Sequence, residues 1–184
     1  MRTRQLVLTA LFAALTAIGA FLKIQIPVEG IPAITLQFFF TAMAGILLGA
    51  KYGALSQAVY VLLGLVGLPI FTMGGGFSYV LQPSFGFLVG LIPSAWVIGS
   101  LCKNAKSFWP VALGILAGLA VLYLIGTPYM GLILNLYLGK GMSVWQIVRA
   151  GCLLYLPGDM LKIVVCTLLC GALRIRMPKA FASA

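Results

Sequence analysis

Apolar segments as long as a lipid bilayer is thick follow one another along almost the entire chain. A helix needs about 20 mainly apolar residues to cross a hydrocarbon core of roughly 30 Å. Of the 184 residues, 62% are hydrophobic and 8% are charged, whereas about 25% are charged in an ordinary soluble domain. We therefore predict an all-α integral membrane protein, a single transmembrane domain over residues 1–184. Its apolar blocks, separated by Gly, Pro or basic residues, predict six helices near 5–25, 34–50, 53–70, 84–102, 108–137 and 144–173.

The block 108–137 leaves the number of spans open, because Gly126-Thr127-Pro128 can either kink one long helix or separate two short ones. With six spans and a cytoplasmic N-terminus, the outer side receives Lys23, Lys140 and Arg149, and the cytoplasmic side receives a larger basic set. Seven spans would place the basic C-terminal cluster outside, against the positive-inside rule. We therefore predict six spans with both termini in the cytoplasm, where the basic residues are Arg2, Arg4, Lys51, Lys103, Lys106, Arg174, Arg176 and Lys179.

The composition also excludes several classes of function. The net charge of +10 comes from basic residues at chain ends and between apolar blocks, which indicates membrane orientation and contact with anionic lipid, not nucleic acid. The chain has no His and no CxxC pair, so we expect neither a metal site nor a cofactor. It has no GxxxxGK[ST] loop, so we do not expect it to hydrolyse ATP. A single acid inside the apolar blocks gives little basis for an enzyme.

The two acids of the chain are in contrasting places. Glu29 falls in a predicted outer loop, while Asp159 lies inside the last apolar block beside Lys162. Ionisable residues inside a membrane are costly and point to function. Asp159 and Lys162 are three residues apart and so share one helix face with Tyr155, and Pro157 should distort the helix just before them. The pair is either the floor of an outward-facing pocket or an ion pair that only locks the helices.

The connection over residues 71–83 has the composition of a binding loop. It contains three consecutive glycines, which let backbone approach a ligand closely, followed by polar side chains that can supply hydrogen bonds. A flexible surface loop is the alternative. The residues that carry the binding interpretation are Gly75, Gly76, Ser78, Tyr79 and Gln82.

The first predicted helix carries small residues four apart, including Ala10 and Ala14. Small residues at this spacing let membrane helices approach closely. The alanines either pack inside the protein or form a contact surface for a partner membrane protein. A scaffold or assembly protein without transport activity is therefore one alternative for the whole chain.

Two longer runs resemble a known family. GGGFSYVLQPSFGFLVG (Gly74 to Gly90) and YLPGDMLKIVV (Tyr155 to Val165), in a six-helix chain of this length, resemble the BioY family, the biotin-binding S components of energy-coupling factor (ECF) transporters. The resemblance covers nearly the whole chain, and PGDxxK is its most specific element. It implies an S-component-like bundle in the plasma membrane that takes up biotin with a transmembrane coupling (T) component and ATPase (A) subunits. Ala10 and Ala14 would contact that module.

The resemblance also implies roles for individual residues. Asp159 would accept from the N–H groups of the biotin ureido ring and Lys162 would donate to its C=O, while the loop around Ser78 would cover the valerate tail. The loop reads PSFGF from Pro83 where the family often has PTGGY, and no Arg lies nearby to pair with the ligand carboxylate. An S component for thiamine or riboflavin is the alternative within transport. The substrate-binding residues so implied are Asp159, Lys162, Tyr155, Gly75, Gly76, Ser78, Tyr79, Gln82 and Phe85.

Overall fold

The computed structural model describes residues 3–26, 31–105 and 107–176, with the side chains of residues 174–176 left aside. Of the charges discussed above, Arg2, Glu29, Lys106 and Lys179 lie outside the described residues. The described chain is mostly helical. Its helices are α1 (Thr3–Phe21), α2 (Gln37–Leu65), α3 (Phe85–Leu101), α4 (Phe108–Leu132), α5 (Val144–Val148) and α6 (Leu156–Arg176).

Helix α2 folds back on itself at Gly49, which has φ 77° and ψ 177°. Thr41 and Gln57 lie 16 positions apart, or about 24 Å along a straight helix at 1.5 Å per residue, yet their side-chain oxygens are 2.9 Å apart. A Cβ built on Gly53 would lie 2.9 Å from the Cα of Gly45. Residues 37–48 and 50–65 are therefore two antiparallel arms, which correspond to the predicted second and third helices.

Buried polar side chains hold the two arms of α2 to each other and to α1. Gln37 donates to the hydroxyl of Tyr60 over 2.8 Å, and Gln57 donates to the hydroxyl of Thr16 on α1 over 3.2 Å. Away from water, each of these groups would be costly without a partner. The hydrogen bonds therefore fix how the arms are paired.

Several predicted boundaries need correction. Helix α1 ends at Phe21, and β1 (Lys23–Ile24) pairs antiparallel with β2 (Ile34–Thr35), a short sheet that an all-α prediction lacks. The second arm of α2 ends at Leu65 and not near residue 70, because Gly67 and Pro69 follow and a proline cannot continue the helix.

The block 108–137 forms one helical stretch. Helix α4 runs through Pro128 and continues as a π-helical turn over Ile133–Tyr137. A second π-helical turn, Arg149–Leu153, and two further turn residues connect α5 to α6. Among the described residues, four helical stretches are long and apolar enough to cross a membrane, and α3 is a shorter apolar helix. The four are Thr3–Phe21, Gln37–Leu65, Phe108–Tyr137 and Val144–Leu173.

Helix α2 packs along α1 and α3, and α3 packs along α4. Glycine allows the closest approaches. A Cβ on Gly99 of α3 would lie 2.3 Å from the backbone N of Ala50, and one on Gly118 of α4 would lie 2.3 Å from Ile98. The connecting residues 22–26, 31–36, 66–84 and 138–143 gather at one end of this bundle, and the Gly49 bend and the turn 102–105 lie at the other.

Candidate functional site

A cavity opens at the end of the bundle that carries the long connections. It encloses about 620 Å³ of non-atom space, a volume that includes open solvent. Its wall is formed by four helices, α2, α3, α4 and α6, and by strand β2. The connections before β2 and after α2 also contribute. The apolar part of this wall consists of Phe38, Phe87, Leu88, Leu91 and Leu122.

Asp159 and Lys162 lie together on the cavity wall. Lys162 Nζ donates to Asp159 Oδ1 over 2.6 Å, and the carboxylate belongs to a residue that is 4% exposed. Asp159 is in the first turn of α6, where the partial positive charge of the helix N-terminus stabilises an anion. The predicted spacing of three residues within one helix therefore does bring the two charges into contact.

The second carboxylate oxygen also has a partner. Tyr123, on α4, donates its hydroxyl hydrogen to Asp159 Oδ2, so that α4 and α6 are connected at the cavity. A carboxylate has about four lone-pair sites on its two oxygens. Asp159 is thus held from two sides and still has acceptor capacity toward the cavity.

Tyr155 joins the start of α6 to the connection that precedes β2. Its hydroxyl donates to the carbonyl oxygen of Pro32 over 2.5 Å, and Pro32, Ala33 and Tyr155 all line the cavity. Interruption of the helix at residues 154–155, just before Leu156 and Pro157, allows Tyr155 to lie at this junction. Pro157 is tolerated because the first residues of a helix need no backbone N–H partner within it.

A further polar group stands at the beginning of α2. The side-chain amide of Gln37 lines the cavity, is 3.0 Å from the hydroxyl of Thr35 through Oε1, and donates to Tyr60 through Nε2. Tyr60 in turn donates to the carbonyl oxygen of Ile70, 3.1 Å away. This chain of hydrogen bonds fixes the amide orientation at the cavity wall.

The glycines of the 71–83 connection lie away from the cavity wall. Gly76 N–H donates to the carbonyl oxygen of Gly64 over 2.7 Å, and a Cβ on Gly75 would lie 2.0 Å from the carbonyl oxygen of Leu68. Gly64 itself makes room for the ring of Phe71. The three-glycine run thus packs the connection onto the end of α2.

The other predicted residues of this connection also stand back from the cavity. Ser78 is exposed, Gln82 is half-buried, and Phe85 packs its ring 5.9 Å from that of Tyr129. Tyr79 is buried behind the wall, with its hydroxyl 2.8 Å from Thr72 Oγ1 and 3.1 Å from Ser84 Oγ. The cavity wall at this point consists of Thr72 and Ser84.

Sequence reasoning missed Tyr123, Gln37, Thr35, Thr72, Ser84 and Phe87 as cavity residues. Polar groups within apolar helices are rare enough to be functional candidates, and this signal alone would have identified Tyr123 and Gln37. Phe87 reaches the wall because Gly126 faces it, since a Cβ there would lie 2.3 Å from Phe87 Cδ1. No pattern within the α3 sequence reveals that pairing.

Comparisons with known proteins agree with one another. The profile of the BioY family matches residues 1–179. A probable biotin transporter BioY of Lysinibacillus sphaericus is 40% identical over 99% of this chain and 90% of its own length, and the biotin transporter BioY of Thermotoga maritima is 38% identical over 94% and 96%. A crystal structure of the S-component for biotin from an ECF-type ABC transporter superposes with a TM-score of 0.81 at 26% identity, covering 94% of this chain and 92% of that one.

Proposed function

The chain belongs to the BioY family, and from this premise we propose that it captures biotin with high affinity as the S component of an ECF transporter. Relatives along nearly its full length are biotin transporters, and the fold matches a biotin S-component. The observation that carries the proposal is the Asp159–Lys162 pair at the wall of an otherwise mainly apolar cavity.

The chemistry of this pair suits the ureido ring of biotin. A ureido group displays two N–H donors beside one C=O acceptor, and a carboxylate and an ammonium display the complementary groups. Tyr123 and Lys162 hold Asp159 in place before the ligand arrives, which lowers the cost of ordering the site. The apolar wall around Phe38 and Leu122 then accommodates the thioether ring.

In the proposed topology six helices cross the plasma membrane and the cavity opens outward, with both termini in the cytoplasm. Lys23 and Lys140 belong to connections at the cavity end, whereas Lys51 and Lys103 lie near the opposite end. The positive-inside rule supports this orientation.

The arms of α2 are about 18 Å and 24 Å long at 1.5 Å per residue, which is shorter than a hydrocarbon core of roughly 30 Å. The bilayer is therefore thinned at this hairpin, or the arms are extended by their connections.

Energy for uptake would come from ATPase subunits through a T component, because the sequence carries no ATP-binding loop of its own. Ala10 and Ala14 face outward on α1, next to exposed Leu6 and Leu11. We propose that this outward face contacts the T component, since small residues let two membrane helices approach closely.

Ligand titration of the purified chain tests the function. Calorimetry in detergent micelles should show saturable binding of one biotin per chain, and neither thiamine nor riboflavin should displace it. Tighter binding of thiamine or riboflavin than of biotin would identify the chain as an S component for that vitamin. Binding of none of the three by folded protein would favour a scaffold role and contradict the proposal.

A further inference from the structure

The cavity lacks a free positive charge for the acid end of the proposed ligand. Biotin carries a carboxylate that is ionised at neutral pH, and an ion of that kind is costly to bury without a partner. Among the described residues that line the cavity, Lys162 carries the positive charge, and it is already paired with Asp159. A second carboxylate beside this pair would be repelled by the charge of Asp159, so a cation away from Asp159 would stabilise the acid end.

Lys23 is next to two residues of the cavity wall, Thr35 and Thr72. In the short sheet it is the register partner of Thr35, a cavity residue, and directly opposed residues of an antiparallel pair project to the same face. Its ammonium also donates to the carbonyl oxygen of Thr72, another cavity residue. One hydrogen bond leaves two of the three ammonium N–H groups for other acceptors.

Two hydroxyl groups belong to the part of the cavity wall that contains Thr72, whose carbonyl oxygen accepts from Lys23. Thr72 Oγ1 and Ser84 Oγ, both at the cavity, flank the buried hydroxyl of Tyr79 at 2.8 Å and 3.1 Å. Ser84 Oγ donates to the Tyr79 hydroxyl, whereas Thr72 and Tyr79 can share their hydrogen bond in either direction. Hydroxyl hydrogens rotate to suit an acceptor, so Thr72 can turn its hydrogen toward an anion, and Ser84 can do so by giving up its hydrogen bond to Tyr79. An ammonium gives a carboxylate a charge-assisted hydrogen bond, and nearby hydroxyls can add neutral hydrogen bonds.

We propose that Lys23, together with the hydroxyls of Thr72 and Ser84, binds the carboxylate of the ligand. This inference rests on the proposed function, and it assigns the tail of the same ligand. The ureido ring lies at Asp159, between α4 and α6, and the tail runs toward the connections at the mouth.

A comparison of biotin with biotinamide, whose tail is neutral, tests the inference. Wild-type protein should bind biotin at least tenfold more tightly than biotinamide, because a hydrogen bond to a charged group contributes about that factor or more. Lys23→Met should weaken biotin binding by about tenfold and leave biotinamide binding unchanged, which removes the preference. Lys23→Arg should retain most of it.

Lys51→Met is the matched control, since Lys51 is exposed near the Gly49 bend at the opposite end, and it should keep the wild-type preference. Equal weakening of both ligands in Lys23→Met would assign Lys23 a structural role and overturn the inference. A wild-type protein that binds biotin and biotinamide equally would overturn it as well, while leaving the proposed function intact. Failure of the wild type to bind either ligand would instead overturn the proposed function.

Discussion

Tyr123 and Asp159, on different helices and 36 positions apart in sequence, are joined by a hydrogen bond from the phenol to the carboxylate. With Lys162 on the other oxygen, the carboxylate is held from both sides. Its geometry is therefore set by the packing of α4 against α6, before any ligand is present. A site that is ordered in advance loses less entropy on binding.

Asp159→Asn should weaken biotin binding by roughly 10- to 150-fold, because a hydrogen bond to a charged group is worth about 1.5–3 kcal/mol. The new amide also leaves Lys162 without its counter-charge. Calorimetric titration gives the affinity, and a thermal melt of the same sample reports folding. Asn104→Asp, in the turn at the opposite end, is the control and should bind normally. If the Asp159→Asn protein melts earlier and still binds biotin normally, the pair is only a structural bridge.

Tyr123→Phe should have a smaller effect. The ring still fills its place between α4 and α6, and Lys162 still positions one carboxylate oxygen, so only the second restraint on a carboxylate that itself remains in place is lost. We expect about fivefold weaker biotin binding, on the scale of one ordinary hydrogen bond. Tyr137→Phe, at an exposed position on the same helical stretch, should match the wild type. Wild-type affinity in the Tyr123→Phe protein would show that Lys162 alone is enough to orient Asp159.

The residues that sequence spacing places together correctly are those within one helix. Asp159, Lys162 and Tyr155 share a face because helical spacing is fixed, and the structure brings all three to the cavity. Tyr123 joins them through packing between helices, which no local pattern encodes. The glycine run is expected to let backbone approach a ligand, and in the structure Gly75 allows a close approach to Leu68 at the end of α2.

In the fold, too, features set within one helix follow from the sequence, and features set by packing between elements do not. Long apolar blocks predict helices with boundaries within a few residues, including the continuous stretch Phe108–Tyr137. The break near Gly49 agrees with the separate helices predicted over 34–50 and 53–70, whereas the sheet between Lys23 and Thr35 is too short to produce an alternating pattern. Turns and short pairings depend on contacts made after the helices have packed.

Gly49→Ala should destabilise the protein, because φ 77° with ψ 177° is a conformation almost restricted to glycine. The expected cost is about 1–3 kcal/mol, which should lower the melting temperature by several degrees. Gly171→Ala is the control: this helical glycine of α6 faces open space, and alanine favours a helix over glycine. Thermal melts in one detergent compare the two. Equal melting temperatures would show that the bend tolerates a side chain.

The outward face of α1 yields a prediction about assembly. Repeated small residues do not reveal which of them face inward, and the structure separates them: Ala13 and Ala20 are buried, whereas Ala10 and Ala14 are exposed. Replacing both exposed alanines by Trp should leave biotin binding and the melting temperature unchanged, since nothing inside the chain moves. It should abolish co-purification with the T component and the ATPase subunits, because bulky side chains prevent close helix approach.

The control for this variant is Val164→Trp, at a position on α6 that is 45% exposed and lies outside the α1 face. Tagged ATPase subunits, co-expressed with each variant, should retain the Val164→Trp protein and lose the double Trp protein. Equal retention would show that the T component contacts another surface. Equal loss would show that any bulky group on the lipid-facing side blocks assembly. The assignment of Ala10 and Ala14 therefore depends on the difference between the two variants, measured with biotin binding intact in both.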